Sequence, residues 1–169
     1  MHDSRLPSND QLRSALISLE AIRHNLAVLS AHVESGTKIL ADVRADAYGH
    51  GAVAVALVAA RAGVSWLGVS TIAEGIALRR AGIETSILSM RPAGHEDFRE
   101  AAAHNITPAI SSIAQLSQTV DSGLPGIHLD VSVDESLSGT VSVLAAAESL
   151  VAAAAIAHGS SQTKVSGLM

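Results

Sequence analysis

The chain has 169 residues, 48% of them hydrophobic and 16% charged, and a formal charge of −5, which suits one globular domain with a real buried core. Mild acidity with scattered Lys and Arg argues against a nucleic-acid partner, and no apolar run approaches the roughly 20 residues that a membrane-spanning helix needs. Zero cysteines exclude disulfides and thiolate metal sites and fit a cytoplasmic location.

The first ten residues are polar and include Asp3 and Asp10, so they do not read as a secretory signal. Leu19, Ile22, Leu26, Leu29 and Val33 recur at spacings of three and four, which predicts an amphipathic helix. A first strand follows over Ile39 to Val43, reaching Arg44, and runs into a turn containing Gly49 and Gly51. Further strands are expected from Trp66, Ser86, Thr107 and Ile127. Helical stretches lie between them. Thr71-Ile-Ala-Glu74 has the form of a capping box, and Gly63 and Gly82, each after Arg-Ala, read as helix-terminating glycines. Ile113, Leu116 and Val120 mark another helix, and Val141 to Ala157 predicts a last, Ala-rich one.

Strands alternating with helices imply βαβ crossovers and a parallel sheet. The expected order is a helix and then about five strand–helix units in a single domain, residues 1–169. A complete (β/α)8 barrel runs to about 250 residues with a floor near 200, so the α/β reading is an incomplete TIM-type barrel. An open doubly wound sheet would fit the length, but Ala45 to Gly51 is not the G-x-G-x-x-G loop such a fold carries.

Chemistry-bearing residues are few. Arg44, at the end of the first strand, has two readings: a clamp for a phosphate or carboxylate, or the ion-pair partner of Asp42 or Asp46. His128 and Asp130 share a strand face and could serve acid–base work, or form a satisfied polar pair. No two of the eight histidines have metal-ligand spacing with a third partner. Ser132 and Ser136 lack the G-x-S-x-G of a nucleophile elbow, and Asp134-Glu135 reads as a solvated loop.

Ala45-Asp-Ala-Tyr-Gly-His-Gly51 closely resembles the signature of alanine racemases, which interconvert L- and D-alanine for cell-wall synthesis with pyridoxal phosphate. The likeness extends along the chain. Ser14 to Ser30 resembles the family's opening strand and helix, with Ala21-Ile-Arg-His-Asn-Leu26 typical of it. Leu67-Gly-Val-Ser70 with Glu74, Leu78-Arg79 and Ala81-Gly82-Ile83 is similar to its second strand and helix. Gly126-Ile-His-Leu129 resembles the strand before its Asp-Thr-Gly-Met-x-Arg-Leu-Gly block, and Val165-Ser-Gly-Leu-Met169 the segment before its Thr-His-Phe-Ala.

The resemblance implies a barrel domain whose cofactor is held by a Schiff-base lysine just before the signature. That position is Arg44 here, and a guanidinium, which stays protonated at any physiological pH, supplies no free amine. The family's arginine at the cofactor's phenolic oxygen falls on Leu137, and a lysine found in many members falls on Asp130. Tyr48 takes the place of the phosphate-contacting tyrosine, with Gly49 and Gly51 allowing close backbone approach. His50 takes that of a structural turn histidine. The histidine segment and the C-terminal β-domain with its catalytic tyrosine are expected to be absent.

The resulting expectation is a racemase-like chain with no intact catalytic residue and little or no activity by itself. Pyridoxal phosphate would be held non-covalently at best, and alanine or another small amino acid is the implied ligand. Alternatives are a non-catalytic small-molecule or partner-binding protein, and a working amino-acid racemase. Strand one and strand five, Ile127 to Ser132, are expected to be open sheet edges blunted by Asp42 and Asp130. Self-association or marginal stability follows from that, and a family-type dimer does not.

Overall fold

The structure is a computed structural model describing residues 15–92, 96–120, 122–130 and 163–169, together with Ala152. A peripheral helix α1 (Leu19–His32) opens it, its N-terminus capped by Ser18, whose hydroxyl accepts from the Ala21 amide. Ile22 and Leu26 pack on the core while Leu29 and Val33 stay exposed, so the predicted stripe is buried along one side only.

Strand β1 (Leu40–Asp42) follows, then a one-turn element α2 (Arg44–Gly49) and helix α3 (Ala52–Arg61). Next come β2 (Trp66–Val69), α4 (Ile72–Arg80), β3 (Ser86–Ser89), α5 (Phe98–Ala103), β4 (Ile106–Ile110), α6 (Ile113–Val120), β5 (Gly126–Leu129) and β6 (Lys164–Leu168). All six strands are parallel, and each pairs only with its sequence neighbours, in the order β1-β2-β3-β4-β5-β6. A doubly wound sheet reverses its strand order at a switch point. This order never reverses, which is the winding of a (β/α)8 barrel, with six of its strands among the described residues.

Two expectations need correction. Strand one is shorter than Ile39 to Arg44, because Val43 turns out of the sheet and Arg44 opens the next element. Strand five is not an edge: β6 pairs with it, so the outer strands of the described sheet are β1 and β6. Asp130 therefore blunts no edge. The segment Val165–Met169, noted only for its resemblance, supplies most of that sixth strand. Ser132, Asp134, Glu135, Ser136 and Leu137 lie outside the described residues, as does all of the Val141 to Ala157 helix except Ala152.

The β5–β6 ladder contains a bulge, with Ile127 opposite Val165 but His128 opposite Gly167. The skipped residue, Ser166, turns its hydroxyl to donate to the Ile127 carbonyl at 3.0 Å. The slip thus leaves that acceptor satisfied.

The main core lies between the sheet and its helices. Leu67, Ile87 and Ile127 are wholly buried and Ile106 is 1% exposed, each worth about 1.5–3 kcal/mol relative to exposure. Helix α4 sits unusually close to this layer. A Cβ on Gly75 would lie 2.8 Å from Ile106 Cδ1 and 3.3 Å from Ile87 Cγ2, so a larger residue there would require the Ile106 side chain to shift. On the opposite, concave face a smaller cluster unites Leu88, Met90 and Ala109 with Trp66.

At the N-terminal end of the strands Arg79 acts as a rivet. Its Nε donates to the His104 carbonyl (3.0 Å), Nη1 to those of Ile83 and Thr85 (both 2.7 Å), and Nη2 to that of Asn105 (2.8 Å). Asn105 presents that carbonyl from a left-handed conformation, φ +51°, just beyond α5. Burial pulls the Arg79 pKa down, Glu84 opposes this weakly, and the guanidinium stays charged. One side chain thereby joins α4 to the loops entering β3 and β4. A lysine cannot span four carbonyls with one ammonium. Arg79→Lys should cost about 3 kcal/mol, measured by urea unfolding with an unchanged m-value; a loss within error of zero would refute the rivet.

Candidate functional site

In (β/α) barrels the functional end is the C-terminal end of the strands, and here that end is organised around β1. Val43, 1% exposed, donates its amide to the Gly68 carbonyl at 2.9 Å and then leaves the strand. Ala45, Asp46, Ala47 and Tyr48 follow with φ between 48° and 57°, four successive non-glycine residues in the left-handed region. At about 1–2 kcal/mol each, such a turn persists only where its surroundings fix it.

Several contacts do so. The Ala47 methyl is buried in the core. His50 Nδ1 lies 2.8 Å from the Ala47 carbonyl, which can only accept, so the proton is on Nδ1. Asp46 Oδ1 accepts from the Ala52 amide at 2.7 Å and so caps α3. Glu74 reaches across from α4, its Oε1 accepting from the Ala45 amide (3.3 Å) and its Oε2 from Ser70 (2.7 Å). Thr71 caps α4 through Glu74 N as the capping box predicts. The return bond differs, because Glu74 serves Ser70 and Ala45 rather than Thr71.

Arg44 stands at the head of this turn. Its Nε lies 3.0 and 2.9 Å from the two carboxylate oxygens of Asp42, and Nη2 is 2.6 Å from Oδ2. Nη2 also donates to the Tyr48 hydroxyl at 3.0 Å. Of the two ion-pair partners open in the sequence, Asp42 is taken and Asp46 is engaged elsewhere. The Asp42 bond raises the Arg44 pKa further. The pair is about a third exposed, 28% and 33%, so it contributes about 1 kcal/mol at most. Its effect is to fix a geometry. The two lysines of the chain are remote from it: Lys38 precedes β1 and Lys164 opens β6, both at the N-terminal end of parallel strands.

The comparisons with known proteins agree with this architecture. The family model described as "Alanine racemase, N-terminal domain" matches residues 17–169. The chain belongs to the alanine racemase family. An alanine racemase of Mycolicibacterium vanbaalenii is 42% identical over 124 residues, covering 72% of this chain and 31% of the relative. One from Nostoc sp. is 54% identical over 72 residues, or 43% of this chain and 19% of the relative. Among solved structures, alanine racemase from Streptomyces coelicolor superposes with a TM-score of 0.78 at 31% identity, over 90% of this chain and 42% of that one. The chain thus spans less than half the length of these relatives.

In this alanine racemase domain the structure separates the two clusters singled out in sequence. Arg44, Asp42 and Tyr48 are brought together; His128 and Asp130 are not, since among the described residues no hydrogen bond joins them. His128 lies on the concave face, tilted on Trp66 with ring centroids 5.4 Å apart. A Cβ on the facing Gly167 would come within 2.6 Å of its ring. Its Nδ1 is buried without a hydrogen-bond partner among the described residues. This is a packed ring rather than a poised base. Among the described residues no group of three His, Asp or Glu could hold a metal ion.

Burial lowers the His128 pKa below its ordinary 6.5. The unfolded chain therefore binds the extra proton first as pH falls. The His128 contribution to stability is full above pH 6.5 and is lost as pH drops through and below it. His128→Leu should flatten the fall in unfolding free energy between neutral and mildly acidic pH. Parallel pH profiles for the two proteins would overturn this.

Proposed function

We propose that this domain binds pyridoxal phosphate reversibly through its phosphate end at the mouth of β1, and does not by itself racemise alanine. The family is pyridoxal-phosphate dependent. The observation that carries the reading is the state of residue 44: a guanidinium forked onto Asp42 and bonded to Tyr48, where the resemblance places a primary amine. The phosphate end of the group fits what is present. Arginine and tyrosine are good donors to phosphate oxygens, and Tyr48 is 65% exposed. The aldehyde end does not fit, because Arg44 has no nucleophilic nitrogen and both lysines lie at the opposite end of the sheet.

When bound, the cofactor supplies an electron sink for carbanion chemistry. No residue described here is placed to move the substrate's proton. Alanine or another small amino acid remains the substrate class that the family implies.

The test is equilibrium dialysis with pyridoxal phosphate, followed by borohydride reduction and peptide mapping. The cofactor should dialyse away and leave no reduced adduct at residue 44, Lys38 or Lys164. A stoichiometric adduct at one of these positions, or interconversion of alanine enantiomers above the rate of free cofactor, refutes the reading.

A second part of the proposal concerns assembly. Among the described residues β1 and β6 are each paired on one side, and Val165 and Leu168 on β6 are 38% and 66% exposed. One-sided parallel strands with exposed apolar residues template further pairing, so copies of this chain should associate as concentration rises. A light-scattering mass that stays at the 17.2 kDa of one chain would exclude this.

A further inference from the structure

We propose that Asp42 is a built-in occupant of the anion seat formed by Arg44 and Tyr48, and that its charge sets the affinity of that seat for phosphate monoesters. The inference rests on the reading of this mouth as a phosphate-binding site and adds how the site is restrained.

The contacts divide the Arg44 guanidinium into two halves. Nε and Nη2 form a side-on fork on both oxygens of Asp42, the two-bond arrangement that a guanidinium also makes with phosphate. Nη1 donates to nothing among the described residues. The Tyr48 hydroxyl accepts from Nη2, which leaves its own proton free to donate outward. The two N–H groups of Nη1 and the Tyr48 O–H are therefore unspent donors of this cluster, a set suited to the acceptor oxygens of a phosphate.

The charges oppose that use. Asp42 cancels Arg44, so an arriving dianion meets a neutral cluster and a carboxylate a few ångströms away. The backbone shows how the seat can open. Asp42 Oδ1 also accepts from the Arg44 amide at 3.1 Å, so the carboxylate keeps a partner if the guanidinium turns from it to a ligand. Asp42 can thus remain in place while Arg44 exchanges one anion for another.

Because the pair is about a third exposed, solvent screens the repulsion. Removing the charge should tighten binding by about tenfold, not by orders of magnitude more. The phosphate dianion is favoured over a carboxylate because it carries the larger charge and a third acceptor oxygen.

The experiment measures binding of pyridoxine 5′-phosphate, which has the phosphate but no aldehyde, to the full chain by isothermal titration. Wild type, Asp42→Asn and Asp42→Ser are compared, after circular dichroism has established that each is folded. Both variants should bind about tenfold more tightly, and the gain should shrink as salt is raised. It should vanish when Arg44→Gln is added. Inorganic phosphate should show the same ordering more weakly, and pyridoxine, lacking the phosphate, should show none. If wild type binds and both folded variants bind equally or less tightly, the restraint by Asp42 is refuted while the phosphate site stands. A gain of equal size for pyridoxine would also refute it. If none of the three proteins binds any phosphate, the phosphate-site reading falls and this inference with it.

Discussion

The sealed apolar layer beneath the helices carries the rest of the structure. Leu67, Ile87, Ile106 and Ile127 project from successive strands into it, and each parallel strand is held only by its neighbours and by the helix that crosses back over it. Gly75 lets α4 settle directly onto this layer. With the strands fixed, their two ends can differ in chemistry. The N-terminal end is riveted by Arg79 through backbone carbonyls alone. The C-terminal end is tied by side-chain carboxylates, Glu74 on Ala45 and Ser70, Asp46 on Ala52, and Glu96 on the Ile72 amide. Bonds to ionised groups are roughly twice as strong as neutral ones. They lie where the chain departs furthest from comfortable backbone geometry.

That departure, the left-handed turn after β1, shapes the site. An extended continuation of β1 would carry Arg44 and Tyr48 along the strand direction. The turn folds Tyr48 back so that its hydroxyl meets the guanidinium of residue 44. The contacts that hold the turn belong chiefly to Ala47, Asp46, His50 and Glu74, with the bond from residue 44 to Tyr48 added to them. Scaffold and chemistry are separable here. A turn can keep its shape while the side chain at its head changes chemistry.

Much of this was legible in the sequence. The five strand starts were visible because the apolar runs at Ile39, Trp66, Ser86, Thr107 and Ile127 stand between helix-terminating glycines and polar turns. Gly63 and Gly82 do adopt positive φ, +85° and +82°. The choice between a barrel and an open sheet followed from the lack of a phosphate loop and from family likeness. Other features were hidden. β6 is preceded by a long segment and its run is broken by Ser166 and Gly167, so it lacks alternation. The handedness of Ala45 to Tyr48 is invisible because alanine and tyrosine give no left-handed signal; only the flanking Gly49 and Gly51 hint at it. The pairing of Arg44 with Asp42 was anticipated as one of two choices, whereas its bond to Tyr48 required the turn. The His128 ring, whose Nδ1 has no hydrogen-bond partner among the described residues, was also out of reach, since a tilted contact with Trp66 depends on sheet curvature.

The strand order also carries a consequence for how the chain folds. From β2 to β5, paired strands are only about 20 residues apart in sequence, whereas β6 meets β5 across roughly twice that separation. Closing a loop twice as long costs about 0.6 kcal/mol more in chain entropy. Early units can therefore assemble one on another by short-range steps, as in a growing stack. β6 closes the longest loop of the described sheet, and it pairs through a bulge that sets Ser166 against a carbonyl and Gly167 against a ring. Short loops among the first five strands and one long loop to the sixth divide the described sheet into two kinds of closure.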